Sequence, residues 1–118
     1  MIALGSSTAA VRGCPGPIAC GTVKGAILQY SYMLARSSAD DNTAVNCVSQ
    51  GIIRTRSHDS MTADQQQHNL VHRIPLDSEG TVDDVAEVVS MFNTNEFMPG
   101  ESVTFDGGIT MQMVRWKW

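Results

Sequence analysis

Thr43-Ala44-Val45-Asn46-Cys47-Val48 is a compact β-prone run, and after Ser49-Gln50 it reaches Gly51, where the chain can turn sharply; it reads as a buried strand. Upstream, Met1 to Leu4 form a second short apolar run that stops at Gly5-Ser6-Ser7, the end of a strand over about Ile2 to Leu4. Between the two, Ile18, Val23, Ile27, Tyr30 and Leu34 fall mostly three or four residues apart, as one face of a helix from about Pro17 to Arg36 requires. That helix should stop near Ser38 to Asn42, where small and acidic residues take over.

Downstream, residues 57–73 turn polar, with three consecutive glutamines and weak periodicity at Met61, Leu70 and Val71; a mobile, lid-like helical excursion is expected there. Thr81 followed by Asp84 matches a capping box with Asp in place of Glu, and Val82, Val85, Ala86, Val89 and Phe92 make the stripe of the helix it opens. Pro99-Gly100 gives a turn, and Ser102-Val103-Thr104-Phe105 a third strand, closed by Asp106-Gly107-Gly108. Strands alternating with helices imply an α/β fold with a parallel sheet of about three strands and helices on its faces.

At 118 residues the chain fits one domain, 1–118, with 42% apolar and 17% charged residues, which is ordinary for a soluble globular protein. A formal charge of −4 offers no electrostatic footprint for nucleic acid. No apolar stretch approaches the roughly 20 residues a bilayer span needs, and the N-terminus has no basic region followed by an apolar run, so no membrane partner and a cytoplasmic location are expected. Cys14, Cys20 and Cys47 are odd in number and lack Cys-x-x-Cys spacing, which favours reduced thiols over bridges and over a zinc site; no metal is expected.

Taken in order, Gly5-Ser6-Ser7, Lys24-Gly25-Ala26, the run from Val45 through Gln50-Gly51-Ile52-Ile53-Arg54-Thr55, and Phe105-Asp106-Gly107-Gly108 resemble the successive motifs of short-chain dehydrogenases/reductases. The resemblance covers about Ile2 to Met111; the tail Arg115-Trp116-Lys117-Trp118 matches nothing in it. It implies the C-terminal half of a three-layer Rossmann-like fold, beginning at the strand with the catalytic serine. It also implies a serine that polarises a carbonyl, a tyrosine that hands over a proton, and a lysine four residues on that tunes the tyrosine and holds the nicotinamide ribose. Ser7 and Lys24 occupy the serine and lysine positions, and Cys20 stands at the tyrosine position. Residues i and i+4 share a helix face, which is why an ammonium there can tune the acid group.

Three departures limit what the resemblance implies. A thiol is shorter than a phenol by a whole ring and starts from an ordinary pKa near 8.5 rather than 10, so Cys20 falls short of a substrate that a tyrosine would reach. The loop usually reads Pro-Gly where Gln50-Gly51 stands, with Ile53 and Thr55 at the positions that contact the nicotinamide carboxamide; losing the proline relaxes a fixed φ. The glycine-rich strand-to-helix turn that cradles the pyrophosphate does not occur in this sequence, and Gly13-x-x-Gly16 is a proline-containing loop instead. NAD or NADP is thus the cofactor by resemblance, through Lys24, Gly51, Ile53 and Thr55, but tight binding by this chain alone is not expected.

Other constellations carry less. Ser7 with Lys24 supplies the residue types of a serine–lysine hydrolytic pair, and Cys20 beside Lys24 those of a reactive thiolate. His58-Asp59-Ser60 contains the triad residue types side by side, whereas triad members meet across a fold. His68 and His72 are spaced to share a metal, without an evident third ligand. Met91, Met98, Met111 and Met113 add apolar bulk suited to core or subunit contact. The leading expectation is a truncated or remnant oxidoreductase, inert alone. The alternatives are a non-catalytic oligomerisation module, and a small hydrolase or thiol enzyme using Ser7, Lys24 or Cys20. In each case a homo-oligomer, dimer or tetramer, is expected, and a missing N-terminal half is a conceivable partner.

Overall fold

A computed structural model describes residues 1–13 and 17–111. Cys14, Pro15 and Gly16 of the Gly13-to-Gly16 loop, Met113 and the tail from Arg115 to Trp118 lie outside the described residues. Strand β1 (Ile2–Ser7) leads into the short helix α1 (Thr8–Val11), the long helix α2 (Ile18–Ser37) and strand β2 (Val45–Gln50). A single 3-10 turn (Arg56–His58), helix α3 (Ala63–His68) and a π-helical turn (Asn69–Arg73) follow, then helix α4 (Val82–Thr94) and strand β3 (Ser102–Phe105). The sheet is parallel, in the order β1-β2-β3, as the alternation of elements implies.

β2 is central, and its buried Val45, Cys47 and Val48 form the near-continuous apolar run of a strand covered on both faces. Its buried polar residues are matched in part: Asn46 Oδ1 accepts the Glu101 N–H at 2.9 Å while its buried Nδ2 has no partner among the described residues, and the Ser49 and Ser102 hydroxyls lie 3.1 Å apart across β2 and β3. β1 runs three residues past the expected Leu4, because Gly5, Ser6 and Ser7 continue in register with Val48, Ser49 and Gln50. β2 starts two residues later than expected and ends two later.

The face of α2 is a correction. The stripe of Ile18, Val23, Ile27, Tyr30 and Leu34 is covered only in part: Ile18 is 80% and Tyr30 57% exposed, Ile27 and Leu34 are half-buried, and the fully buried residues are Ser31 and Ala35. Small side chains let a helix lie close on a strand, and they carry almost no hydropathy signal. The polar stretch 57–73 is helical in pieces, the first turn of α3 held by Thr62 and Gln65: the Gln65 N–H donates to Thr62 Oγ1 at 3.2 Å and the Thr62 N–H to Gln65 Oε1 at 2.9 Å.

The capping box at α4 forms as the sequence implies. The Asp84 N–H donates to Thr81 Oγ1 at 3.2 Å, while the Thr81 N–H and hydroxyl donate to Asp84 Oδ2 at 2.6 and 2.8 Å. The Thr81 backbone donor, followed by its hydroxyl, holds the Asp84 carboxyl below its ordinary pKa. Anchored in this way, α4 sends Phe92 into the core, where it is 1% exposed.

Candidate active site

The register brings the carboxyl ends of all three strands together: Ser7 lies opposite Gln50, and Gln50 opposite Phe105. Ligands of open parallel α/β sheets bind at this edge. Ser7 ends β1 and caps α1, its Oγ accepting the Ala9 N–H at 3.2 Å. That bond uses an acceptor position of the hydroxyl and leaves its proton to be donated elsewhere.

Lys24, one turn after Cys20 on α2, is fastened to β1 at both ends. Its ammonium donates to the Gly5 carbonyl at 2.9 Å, and its own carbonyl accepts from the Ser6 hydroxyl at 2.8 Å. Ser6 is 2% exposed, and this positioning role went unnoticed in the sequence; strand alternation, which turns Ser6 and Ser7 to opposite faces, was the available signal. Only one of the three ammonium donors is thereby used. Cys20 is exposed with a free thiol.

The loop after β2 lines a cleft of about 410 Å³ formed with Gln50, Gly51, Ile53, Thr55, His58 and Arg73 among its walls. Gly51 is needed for closeness rather than for a sharp turn. A Cβ there would sit 2.7 Å from Asp106 Cα and 2.7 Å from Asp106 Cβ, while no positive φ is found at this position. Ile53 forms an isolated parallel bridge with Gly80, in which the Gly80 N–H donates to the Ile52 carbonyl at 2.9 Å and the Arg54 N–H to the Gly80 carbonyl at 2.8 Å. Such a bridge uses the groups of the flanking residues, so the N–H and C=O of Ile53 face away from Gly80. Neither has a partner among the described residues, although Ile53 is only 7% exposed.

Thr55 is more engaged than the sequence implies. Its N–H donates to His58 Nδ1 at 3.1 Å, and its hydroxyl lies 2.7 Å from the Ser57 hydroxyl and 3.3 Å from His58 Nδ1. His58 is thereby committed to a local cap, with Nδ1 as an acceptor, and Ser60 Oγ donates to the Ser57 carbonyl at 3.2 Å. The rings of His68 and His72 are 5.1 Å apart, and among the described residues no three His, Cys, Asp or Glu side chains are grouped to hold a metal ion. No described helix is long and apolar enough to cross a membrane. Met91 and Met111 are exposed. Arg12, also missed, donates to the carbonyls of Ile109 and Thr110 at 3.1 and 3.3 Å and so ties the segment after β3 to the end of α1 beside Ser7.

A primary carboxamide needs one donor and one acceptor side by side, and the free N–H and C=O of Ile53 offer that pair in a cleft at the sheet's carboxyl edge. The residues present thus fit the nicotinamide end of a dinucleotide.

A family model described as enoyl-(acyl carrier protein) reductase matches residues 1–110. Carbonyl reductase family member 4 of Xenopus laevis is 30% identical over 102 residues, 86% of this chain and 42% of the relative. The 3-oxoacyl-[acyl-carrier-protein] reductase FabG of Chlamydia pneumoniae is 30% identical over 107 residues, 89% of this chain and 43% of the relative. Among solved structures, ElxO with NADP bound superposes with a TM-score of 0.84 at 27% identity, over 94% of this chain and 46% of that one. An apo SCOR enzyme from Clostridium thermocellum gives 0.81 at 29% identity, over 99% and 46%. The chain spans less than half the length of the curated relatives it matches.

Proposed function

The chain belongs to the short-chain dehydrogenase/reductase family, and on that premise we propose that it is a truncated or remnant NAD(P)-dependent member that keeps the nicotinamide end of the site and does not transfer hydride alone. The observation that carries this reading is the unpartnered N–H and C=O of Ile53 beside Thr55, at the same sheet edge as Ser7 and Lys24. The NADP in the ElxO structure supports the choice of cofactor class.

Ile53 would hold the carboxamide through its backbone pair, with Thr55 lending its hydroxyl only by sharing it with Ser57 and His58. Lys24 keeps two donors for ribose hydroxyls while the Gly5 carbonyl fixes its direction. Ser7, whose oxygen already accepts from Ala9, presents its proton to a substrate carbonyl and polarises it. When bound, a nicotinamide supplies the hydride acceptor or donor. Two parts of the machinery are wanting: Cys20 is too short to deliver the proton, and no glycine-rich turn in the sequence anchors the pyrophosphate.

Replacing Cys20 by Tyr tests this reading. The Cys20→Tyr chain is expected to show no NAD(P)H-dependent turnover of simple ketones above background, because a proton donor without a positioned cofactor does not lower the barrier. Clear cofactor-dependent turnover by Cys20→Tyr would show that the chain positions a nicotinamide unaided.

Self-association is the second part of the proposal. Among the described residues β1 pairs with β2 alone, which leaves its other edge open, and Ile2, Val23, Tyr30 and Met33 are exposed on β1 and α2. An open apolar edge invites pairing with another chain, and two-fold closure is the commonest solution. Light scattering at micromolar concentration is expected to report a mass of a dimer or higher, whereas a monodisperse 12.8 kDa monomer would refute association.

A further inference from the structure

A second groove, of about 540 Å³, lies between the segment before α4, α4 itself and the end of β3. Leu76, Val88, Met91 and Phe105 give it apolar walls. Leu76 is 72% and Met91 37% exposed, so the described residues leave part of this apolar surface uncovered. Asp84 and Glu87, both exposed on α4, stand in the lining, and no lysine, arginine or histidine does among the described residues. Exposed carboxylates are ordinarily solvated and select nothing alone. An apolar trough edged by one sign of charge selects an occupant when a segment of matching character is held beside it.

Such a segment follows β3. The chain leaves the groove wall at Gly107, whose carbonyl accepts the Leu76 N–H at 3.1 Å, and it turns so that the Met111 N–H donates to the Gly108 carbonyl at 3.1 Å. Residue 112 therefore starts one turn from the contact with Leu76. Residues 112–118, outside the described residues, read Gln112-Met113-Val114-Arg115-Trp116-Lys117-Trp118, with two cations, two tryptophans and no acid. Extended, such a segment spans about 23 Å, and its fourth residue lies about 13 Å along, which brings Arg115 and the residues after it within reach of the groove. A tether this short gives an effective concentration of about millimolar, so docking needs little intrinsic affinity.

We propose that residues 112–118 dock in this groove of their own chain, with Trp116 and Trp118 against Leu76, Val88, Met91 and Phe105, and with Arg115 and Lys117 toward Asp84 and Glu87. Cation and indole alternate in the sequence, and an extended segment turns alternate residues to opposite sides, so the indoles enter while the cations stay at the wet rim. The Met91 thioether beside an indole adds a favourable contact. The groove shares no lining residue with the cleft at Ile53, so docking is independent of the nicotinamide reading.

Trp116 and Trp118 are the only tryptophans of the chain, so tryptophan fluorescence of the unmodified protein reports on this segment alone. Its emission is expected to lie to the blue of N-acetyltryptophanamide, to be shielded from acrylamide, to stay unchanged on dilution, and to reach the free-indole position in urea. Leu76→Lys combined with Glu87→Lys should lower the docked-to-free ratio by at least roughly tenfold and carry the emission toward that position. Both side chains are exposed, so the cooperative melt should survive. Arg115→Glu combined with Lys117→Glu leaves the described fold untouched and should free the tryptophans as well. Free-indole emission from the unmodified chain, or blue emission that persists in the Arg115→Glu, Lys117→Glu chain or in a cooperatively melting Leu76→Lys, Glu87→Lys chain, would overturn the proposal. A blue shift lost on dilution would put the segment on a second copy and overturn it too.

Discussion

Phe92→Ala is expected to destabilise the fold by about 3–5 kcal/mol, the usual cost of emptying a buried aromatic position. The apolar core of the described residues is small: Ala35, Val45, Cys47, Val48, Ile53, Ile74 and Phe92 are its buried members, and Phe92 is the largest. A domain of ordinary stability has about 5–15 kcal/mol to lose, so this one truncation removes much of it. The effect reaches the candidate site through the chain. Once α4 is undocked, Gly80, just before its Thr81 cap, no longer holds the loop at Ile53. Urea unfolding at an unchanged m-value measures the loss. Phe97→Ala is the control, since Phe97 is 96% exposed and its removal should cost within about 0.5 kcal/mol. A loss below about 1 kcal/mol for Phe92→Ala would mean that α4 does not pack as described.

Gly51→Ala is expected to cost about 1–3 kcal/mol, the range found when atoms are forced into a filled space. The added carbon would lie 2.7 Å from both Asp106 Cα and Asp106 Cβ, and the Gly51 N–H already donates to the Phe105 carbonyl at 3.0 Å. Neither backbone segment can yield without breaking the end of the β2–β3 ladder or the turn that the Asp106 carboxylate holds through Gly108 and Thr110. Gly25→Ala supplies a contrast of opposite sign. It lies inside α2 with nothing within 4 Å of its Cβ position, so alanine there should stabilise by up to about 1 kcal/mol. Thermal or urea unfolding of the two variants reads both signs, and a neutral Gly51→Ala would show that the loop and β3 are not in close contact.

The difference between these two glycines shows what the sequence could convey. The strand and helix alternation was legible because β2 is apolar on both faces and because Thr81 and Asp84 announce α4. The packing face of α2 was not, since Ser31 and Ala35 bury themselves through small size. The end of β2 was drawn two residues early for a related reason: Ser49 looks like a strand end until Ser102 is set beside it across the sheet. At the site, Ser7, Lys24, Ile53 and Thr55 were found through motif resemblance. The contributions of Ser6, Arg12 and Gly80 depend on partners 18 to 98 residues away, which no local pattern encodes.

The central claim, that this chain carries the nicotinamide end of a dinucleotide site without an anchor for the other end, is tested most directly by calorimetric titration of the unmodified 118-residue chain with NADPH and NADH. Binding no tighter than roughly millimolar, worth about 4 kcal/mol, is the expected result for both. Micromolar affinity for either would contradict the claim, because it would require a phosphate-holding site that the residues described above do not provide.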